Sequence, residues 1–200
     1  MTRNKDSSTT SLTLLDMARS NDPDAWQTMC DIYSPLVYSW AKRGGLQDSD
    51  AADVVQDVFR IVVKNLNRFQ HRQKGDSFRG WLWTVTRNEV RGWHRRASRN
   101  PELAFGGTDA AQQIAAIPDW VENDSGLNEI QPDEQAESQM VQLAAQTIKN
   151  DFAEHTWQAF WRSTVEGESA SDIAVDLNMT AGGVRQAKFR VLARLREFLG

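Results

Sequence analysis

The sequence predicts an all-α protein made of two small helical domains that are joined by an acidic linker. Apolar residues recur at helical spacing on both sides of the linker, and no segment reads as a β-strand. Residues 60–99 carry eleven Lys and Arg against two acidic residues, whereas residues 100–140 carry nine acidic residues and no Lys or Arg. We therefore place the domain boundaries at 1–99, 100–139 and 140–200.

This separation of charge also says something about partners. The net charge of the whole chain is −4, which by itself would not suggest a polyanion as ligand. Two basic blocks around an acidic spacer nevertheless favour binding to nucleic acid, because a merely soluble surface has no need to sort its charges.

The first helical segment is predicted over residues 21–43. Asp22 is placed as its N-cap and Pro23 at its first helical position, which is a common way for a helix to begin. Pro35 is expected to bend this helix or to start a second one. The glycine pair at 44–45 is expected to end the unit.

A second helix is predicted over residues 48–69, which read DSDAADVVQDVFRIVVKNLNRF. At 100° per residue, its two faces differ in polarity. One face is apolar and consists of Val55, Val58, Val62 and Leu66. The other is polar and consists of Asp53, Gln56, Asp57, Arg60 and Lys64.

A third helix is predicted over residues 78–100, with Ser77 as its cap, after a polar loop. Its docking face is assigned to three apolar residues, which are Phe78, Leu82 and Val85. The positions nearly opposite that face are Arg87 and Arg91, and Trp83 lies about one turn before Arg87. Trp83 is therefore expected to be exposed, and Trp81 is expected to pack in the core.

The linker, residues 100–139, is expected to be mostly irregular, with a short helix around residues 110–117. The helical pattern returns at Met140. Asp151 and Glu154 have the spacing of a capping box for the next helix.

The C-terminal segment predicts two short helices joined by a tight turn. Ser169 caps the first of them, Asn178 occupies a left-handed position at the turn, and Thr180 caps the second, which runs to Leu199. The core side of this last helix consists of Val184, Val191, Leu195 and Leu199. Its outward side consists of Arg185, Gln186, Phe189, Arg190 and Arg196, and Lys188 is nearer the seam.

Such a pair of helices, the second of them basic, is the sequence signature of a helix-turn-helix DNA reader. Arg185 and Gln186 can reach base edges, and an exposed Phe189 suits contact with thymine methyl groups. Other basic residues of the helix can hold phosphates.

Catalytic patterns are missing from the sequence. Cys30 is the single cysteine, which excludes an internal disulfide and a multi-thiolate metal site. The three histidines lie far apart, without a metal-binding spacing, and no nucleophile elbow or phosphate loop is found. We expect no enzyme activity, cofactor or metal, and a cytoplasmic protein without membrane insertion.

Three segments, taken in order, resemble the extracytoplasmic-function group of bacterial sigma factors, in the sigma-70 family. The first is DAADVVQDVFRIVVKNLNRF and the second is FRGWLWTVTRNEVRGWHRR, both similar to sigma region 2. The third is the pattern G-x-S-x-x-x-I-A-x-x-L-x-M-T-x-x-x-V-R over residues 167–185, which is similar to region 4. The linker is long for the group, and Asn178 stands where a glycine is frequent.

The resemblance implies a subunit that binds core RNA polymerase and directs it to promoter DNA. Region 2 would dock on the polymerase through Asp53, Gln56, Asp57 and Arg60. It would read the −10 element as single strand through Arg79, Trp83, Arg87, Asn88, Arg91, Arg95 and Arg96, which can supply stacking and a cationic path. Region 4 would bind the −35 element as duplex through Thr180, Arg185, Gln186, Lys188, Phe189 and Arg190.

Group members are usually held by an anti-sigma factor, which makes such a partner an expectation. The acidic linker is a candidate either to thread through a positive channel of the polymerase or to shield the basic surfaces of the free chain. Two other function classes stay open. One is a helix-turn-helix repressor or activator that acts without being a polymerase subunit, and the other is an adaptor or inhibitor that uses its acidic linker.

Overall fold

The computed structural model describes residues 13–69, 77–99 and 133–199, and the regular elements in these ranges are all helical. The chain divides into two compact units. The larger spans residues 26–147, and the smaller combines residues 1–25 with residues 148–200. The predicted fold class is confirmed.

The described residues form eight α-helices in chain order. They are α1 (Leu14–Arg19), α2 (Pro23–Arg43), α3 (Asp48–Asn65), α4 (Phe78–Arg99), α5 (Glu134–Thr147), α6 (Glu154–Thr164), α7 (Ala170–Asp176) and α8 (Ala181–Leu199). Short 3₁₀ turns follow α3 at Leu66–Arg68 and precede α6 at Lys149–Asp151. Within these residues no helix is both long and apolar enough to cross a lipid bilayer.

The start of α2 is as the sequence predicts. The Asp22 carboxylate accepts hydrogen bonds from the backbone N–H groups of Asp24 at 2.9 Å and Ala25 at 3.3 Å. Pro35 lies inside one continuous helix, so no second helix starts there. Gly45 follows the end of α2 with φ of +84°, a conformation that glycine adopts without steric cost.

The core of the larger unit is built from α2, α3 and α4. Aromatic residues supply much of it: Tyr33 meets Phe78 edge-on, with ring centroids 5.0 Å apart. From α3, the residues Ala51, Val54, Val58, Phe59 and Val62 are buried against this core, followed by Leu66. Cys30, on α2, is half-buried, and this burial raises the pKa of its thiol.

Helix α5 begins inside the segment predicted to be linker. Asp133 caps it, because one carboxylate oxygen accepts the backbone N–H of Ala136 at 3.1 Å. Glu134 and Glu137 lie in its first turn, where negative charge is favoured by the helix dipole. The predicted helix at 110–117 and most of the polar loop after residue 69 lie outside the described residues.

The smaller unit consists of α1, α6, α7 and α8. Helix α1 packs on α8, and its Leu14, Leu15 and Ala18 are buried. The capping box predicted for α6 is wrong: Ala153 holds the N-cap position without a side-chain hydrogen bond. Asp151 instead accepts a hydrogen bond from Arg194 of α8 at 2.8 Å, which a sequence pattern cannot indicate because the two are far apart along the chain.

The starts of α7 and α8, and the turn between these helices, are as the sequence predicts. The Ser169 hydroxyl accepts the N–H of Asp172 at 3.2 Å, and the Thr180 hydroxyl accepts the N–H of Gly183 at 3.0 Å. Asn178 adopts φ of +51°, in the left-handed region that Asn tolerates. A small core fixes the two helices together, formed by Ala159, Ile173, Ala174, Val184 and Ala187.

Candidate nucleic-acid interface

The outward face of α8 is basic and exposed. Phe189 is 70 % exposed, although it is a large aromatic residue that would normally be buried. Lys188 is half-buried and lies nearer the seam, as predicted. The exposed residues of this face and of the preceding turn are Thr180, Arg185, Gln186, Phe189 and Arg190.

This face lies towards solvent because the opposite side of α8 packs in the core of the smaller unit. Val184, Ala187, Val191 and Leu195 recur at three- and four-residue spacing and are all buried. Leu199, predicted on the core side, is only half-buried at the end of the helix. Three of the four predicted core positions are therefore confirmed.

Arg162 links α6 to α7 in the smaller unit. Arg162 of α6 donates two hydrogen bonds to Glu168, at 2.8 and 2.5 Å, and a third to Asp176 at 2.7 Å. Glu168 precedes α7 and Asp176 ends it, so a single guanidinium holds α7 near both of its ends. The contact lowers the pKa of Glu168 and raises that of Arg162.

The polar face of α3 also lies towards solvent. Asp53, Gln56 and Arg60 are exposed and Asp57 is half-buried. Arg60 and Asp57 form an ion pair one turn apart at 2.5 Å, which leaves Asp53 and Gln56 as the acidic and amide groups on offer to a partner. The predicted division of α3 into two faces is confirmed, except that Val55 is half-buried while Val54 is buried.

On α4 the predicted surface is only partly present. Asn88, Arg95 and Arg96 are exposed, and Arg91 is half-buried. Arg79, near the start of the helix, is half-buried and forms an ion pair with Glu137 of α5. The second half of α4 therefore carries a basic stretch, which is formed by Asn88, Arg91, Arg95 and Arg96.

The predicted exposure of two α4 residues is wrong. Trp83 is 4 % exposed and Arg87 is 3 % exposed. Trp83 packs edge-on against Trp40, with ring centroids 5.2 Å apart. The prediction assumed one docking face on α4, whereas the helix buries two adjacent faces, and the second of them contains both residues.

Trp81 has the opposite outcome. It was expected in the core, but it is half-buried and stacks on Phe69, with ring centroids 5.2 Å apart and planes 25° apart. A helical wheel predicts the reverse, since it places Trp81 beside the apolar stripe and Trp83 nearly opposite to it. Trp83 is nevertheless buried because it packs against Trp40 of α2.

Sequence reasoning missed two polar residues of α2 that belong to this region. Ser39 donates a hydrogen bond to Asp133, and Arg43 lies 3.5 Å from the same carboxylate. The only available signal was the concentration of acidic residues after residue 100, which does not say which basic residue each acid meets.

Part of the larger unit is similar to a known protein family. Residues 29–100 match the family model described as Sigma-70 region 2. These residues include α3 and α4 and most of α2, and thus the polar face of α3 and the basic stretch of α4.

Similarity to curated proteins extends over most of the chain. The proteins described as ECF RNA polymerase sigma factor SigD from Mycobacterium tuberculosis and from Mycobacterium bovis are 27 % identical over 192 residues. The alignment covers 90 % of this chain and 79 % of those proteins. The resemblance that the sequence motifs indicate is thereby confirmed.

Proposed function

We propose that this chain is a sigma factor of the extracytoplasmic-function group, which acts in transcription initiation. Three of its surfaces would each bind a different partner. The polar face of α3 would bind core RNA polymerase. The basic stretch of α4 would hold the −10 element, and the outward face of α8 would read the −35 element. RNA synthesis itself is assigned to the polymerase, so the chain needs no catalytic group.

The observation that carries the proposal is the outward face of α8. A helix of a small soluble domain that presents Arg185, Gln186, Phe189 and Arg190 together has no folding reason to do so, since its opposite side supplies the packing. Arg and Gln are suited to the hydrogen-bonding edges of bases in the major groove, and an apolar ring is suited to the methyl group of thymine. Duplex DNA is the ligand that uses all of them.

For the −10 element, the exposed residues of α4 define a smaller surface than the sequence indicated. Asn88, Arg95 and Arg96 are accessible and Arg91 is partly so, which suits a single strand whose backbone follows a cationic path. The buried Trp83 and Arg87 are assigned to the support of this surface and not to direct contact. Trp81, half-buried beside Phe69, is the better candidate for a stacking platform.

For the polymerase, α3 offers Asp53 and Gln56 on a helix whose other face is well anchored. An acidic, hydrogen-bonding stripe on a rigid helix favours a basic protein partner, because complementary charge steers association. Two DNA-contacting units on one chain would also raise each other's effective concentration on a promoter.

Run-off transcription with purified core polymerase tests the proposal. Added to core enzyme and genomic promoter fragments, the chain should produce promoter-dependent transcripts, and fragments recovered from the holoenzyme should share two conserved elements. A double variant, Arg185→Ala with Arg190→Ala, should bind core polymerase normally but start few transcripts. Duplex binding without any gain in transcription would identify a conventional repressor or activator, and binding to a basic protein alone would identify an adaptor.

A further inference from the structure

In the larger unit, three side chains on α2 and α4 form a cluster that binds anions. We call Ser39, Arg43 and Arg79 the anion cluster. They meet two carboxylates from the start of α5: Ser39 and Arg43 contact Asp133, and Arg79 pairs with Glu137. The contacts join residues 94 and 58 positions apart in the sequence, so they arise only from the fold.

Asp133 has two functions at once. One oxygen caps α5 through the N–H of Ala136, and the other accepts the hydroxyl of Ser39. The hydrogen bond from Ser39, followed by that from Ala136, lowers the pKa of Asp133, and Arg43 acts in the same direction. The carboxylate is therefore charged at neutral pH, and the start of α5 sits on the anion cluster as an oxyanion.

The ion pair with Glu137 does not use all the hydrogen-bond donors of Arg79. Its side chain is 31 % exposed and that of Glu137 is 26 % exposed. Its Nε atom is buried and has no hydrogen-bond partner among the described residues. A guanidinium has five N–H donors, so a ligand with more oxygen atoms than a carboxylate would satisfy it better.

Apolar packing attaches α5 only weakly to the rest of the larger unit. Its buried residues are Ala136, Met140, Ala144 and Ala145, of which only Met140 is large. Burying alanine gains little hydrophobic free energy, so the carboxylate contacts matter for where the start of α5 rests. Partly exposed ion pairs are also weak, so a competing polyanion can displace them.

We infer that the anion cluster is a binding site for nucleic-acid phosphate that α5 occupies in the free chain, so that α5 and the DNA backbone compete for Ser39, Arg43 and Arg79. This inference rests on the proposed function, since the anion cluster would extend the proposed −10 surface as far as Arg79. A phosphate carries the oxyanion that Arg and a hydroxyl recognise, and a strand that reached Arg79 would extend the path of Arg91, Arg95 and Arg96. The two carboxylates of α5 act as an internal competitor.

Binding of the full-length chain to a fluorescent single strand of mixed sequence, about 15 nucleotides long, tests the competition at low salt. Glu137→Gln removes the competing charge, and it should tighten binding about threefold or more. Glu134→Gln is the matched control, because it removes the same charge from the same turn of α5 but from an exposed residue. Equal gains from both variants would reduce the effect to net charge and overturn the inference.

The tighter binding expected for Glu137→Gln should depend on Arg79. In the background of Arg79→Ala, Glu137→Gln should no longer tighten binding. A gain of the same size with and without Arg79 would show that Glu137 acts elsewhere, which also overturns the inference.

A disulfide provides a second, independent test. Ser39→Cys with Asp133→Cys, in a Cys30→Ser background, places two thiols where side chains now touch. The oxidised form should bind the single strand less tightly than the reduced form of the same protein. Equal binding by the two forms would exclude competition.

These measurements are separable from the proposed function. Absence of promoter-dependent transcripts from the wild-type chain would refute the proposed function, whatever the single-strand binding shows. Normal transcription together with identical binding by Glu137→Gln, Glu134→Gln and the wild type would refute only the competition.

Discussion

Trp83 of α4 lies edge-on against Trp40 of α2, with ring centroids 5.2 Å apart and ring planes 73° apart. Both rings are buried, so the pair joins two helices of the larger unit. Edge-to-face contact of this kind adds to the gain from burying the two rings. Trp83 is thus a core residue of α4 and does not belong to the exposed basic stretch proposed for the −10 element.

Replacing Trp83 by alanine should destabilise the larger unit. A buried Trp that becomes Ala loses its transfer free energy and leaves a cavity, which together cost about 3–5 kcal/mol. Urea unfolding followed by circular dichroism measures the loss. Trp81→Ala is the control, because Trp81 is a half-buried tryptophan on the same helix and should cost clearly less. An equal cost for the two would contradict the core position of Trp83.

Asn178 should be sensitive to the loss of its side chain but not to replacement by glycine. Its φ of +51° is disfavoured for a residue with a Cβ atom, and Asn relieves part of that cost. Asn178→Ala should therefore destabilise the chain by about 1 kcal/mol, whereas Asn178→Gly should be close to neutral. Thermal unfolding of the two variants provides the comparison, and a stabilising Asn178→Ala would contradict the left-handed turn.

The Arg162 contacts should contribute a pH-dependent part of stability. The pKa of Glu168 is held below its ordinary value of 4.5 by Arg162, so the charged carboxylate is favoured in the folded state. The stabilisation is present above that ordinary value and is lost as the pH falls through the lower, folded-state pKa.

Arg162→Met should therefore lower the unfolding midpoint at pH 7, and the difference from the wild type should shrink as the pH falls below about 4.5. Thermal melts across this range measure it. Arg185→Met, at an exposed position, is the control and should show no such trend. A difference that stays constant with pH would exclude a role for the Glu168 carboxylate.

Asp53→Lys should weaken binding to core polymerase. The residue is exposed on the polar face of α3, so reversing its charge affects a partner but not the core. A loss of about tenfold in affinity, equivalent to about 1.4 kcal/mol, is expected if a basic surface faces it. Binding to immobilised core enzyme measures it, with Asp31→Lys as control, because Asp31 is an exposed residue of α2. Equal losses in the two variants would remove α3 from the proposed interface.

Arg190→Ala should weaken binding to the upstream promoter element. Loss of a base contact by an arginine costs about 1–3 kcal/mol and depends on the sequence, whereas loss of a phosphate contact weakens binding to all sequences about equally. Band shifts with a promoter duplex recovered by the holoenzyme, compared with a scrambled duplex, separate the two. Arg196→Ala is the control, since it removes the same charge from an exposed position at the far end of α8. The proposed reading face would be wrong if Arg196→Ala cost more.

Local chemistry is what sequence patterns describe best, and the helix ends of this protein show it. Asp22, Ser169 and Thr180 each accept a backbone N–H two or three residues further along, so both partners are visible in a short stretch of sequence. The buried face of α8 was predictable for the same reason, because a helix repeats every 3.6 residues. The family resemblance likewise depends on contiguous motifs.

Those sequence patterns could not predict contacts between segments that are distant along the chain. The sequence by itself determined the all-α class, the caps, the left-handed turn at Asn178 and the outward face of α8. Only the tertiary structure decided that Trp83 is buried and Trp81 half-buried, and that Arg79 pairs with Glu137. The physical reason is that the burial of a side chain outside the main apolar stripe, and the partner of a charge, depend on which helix packs against them.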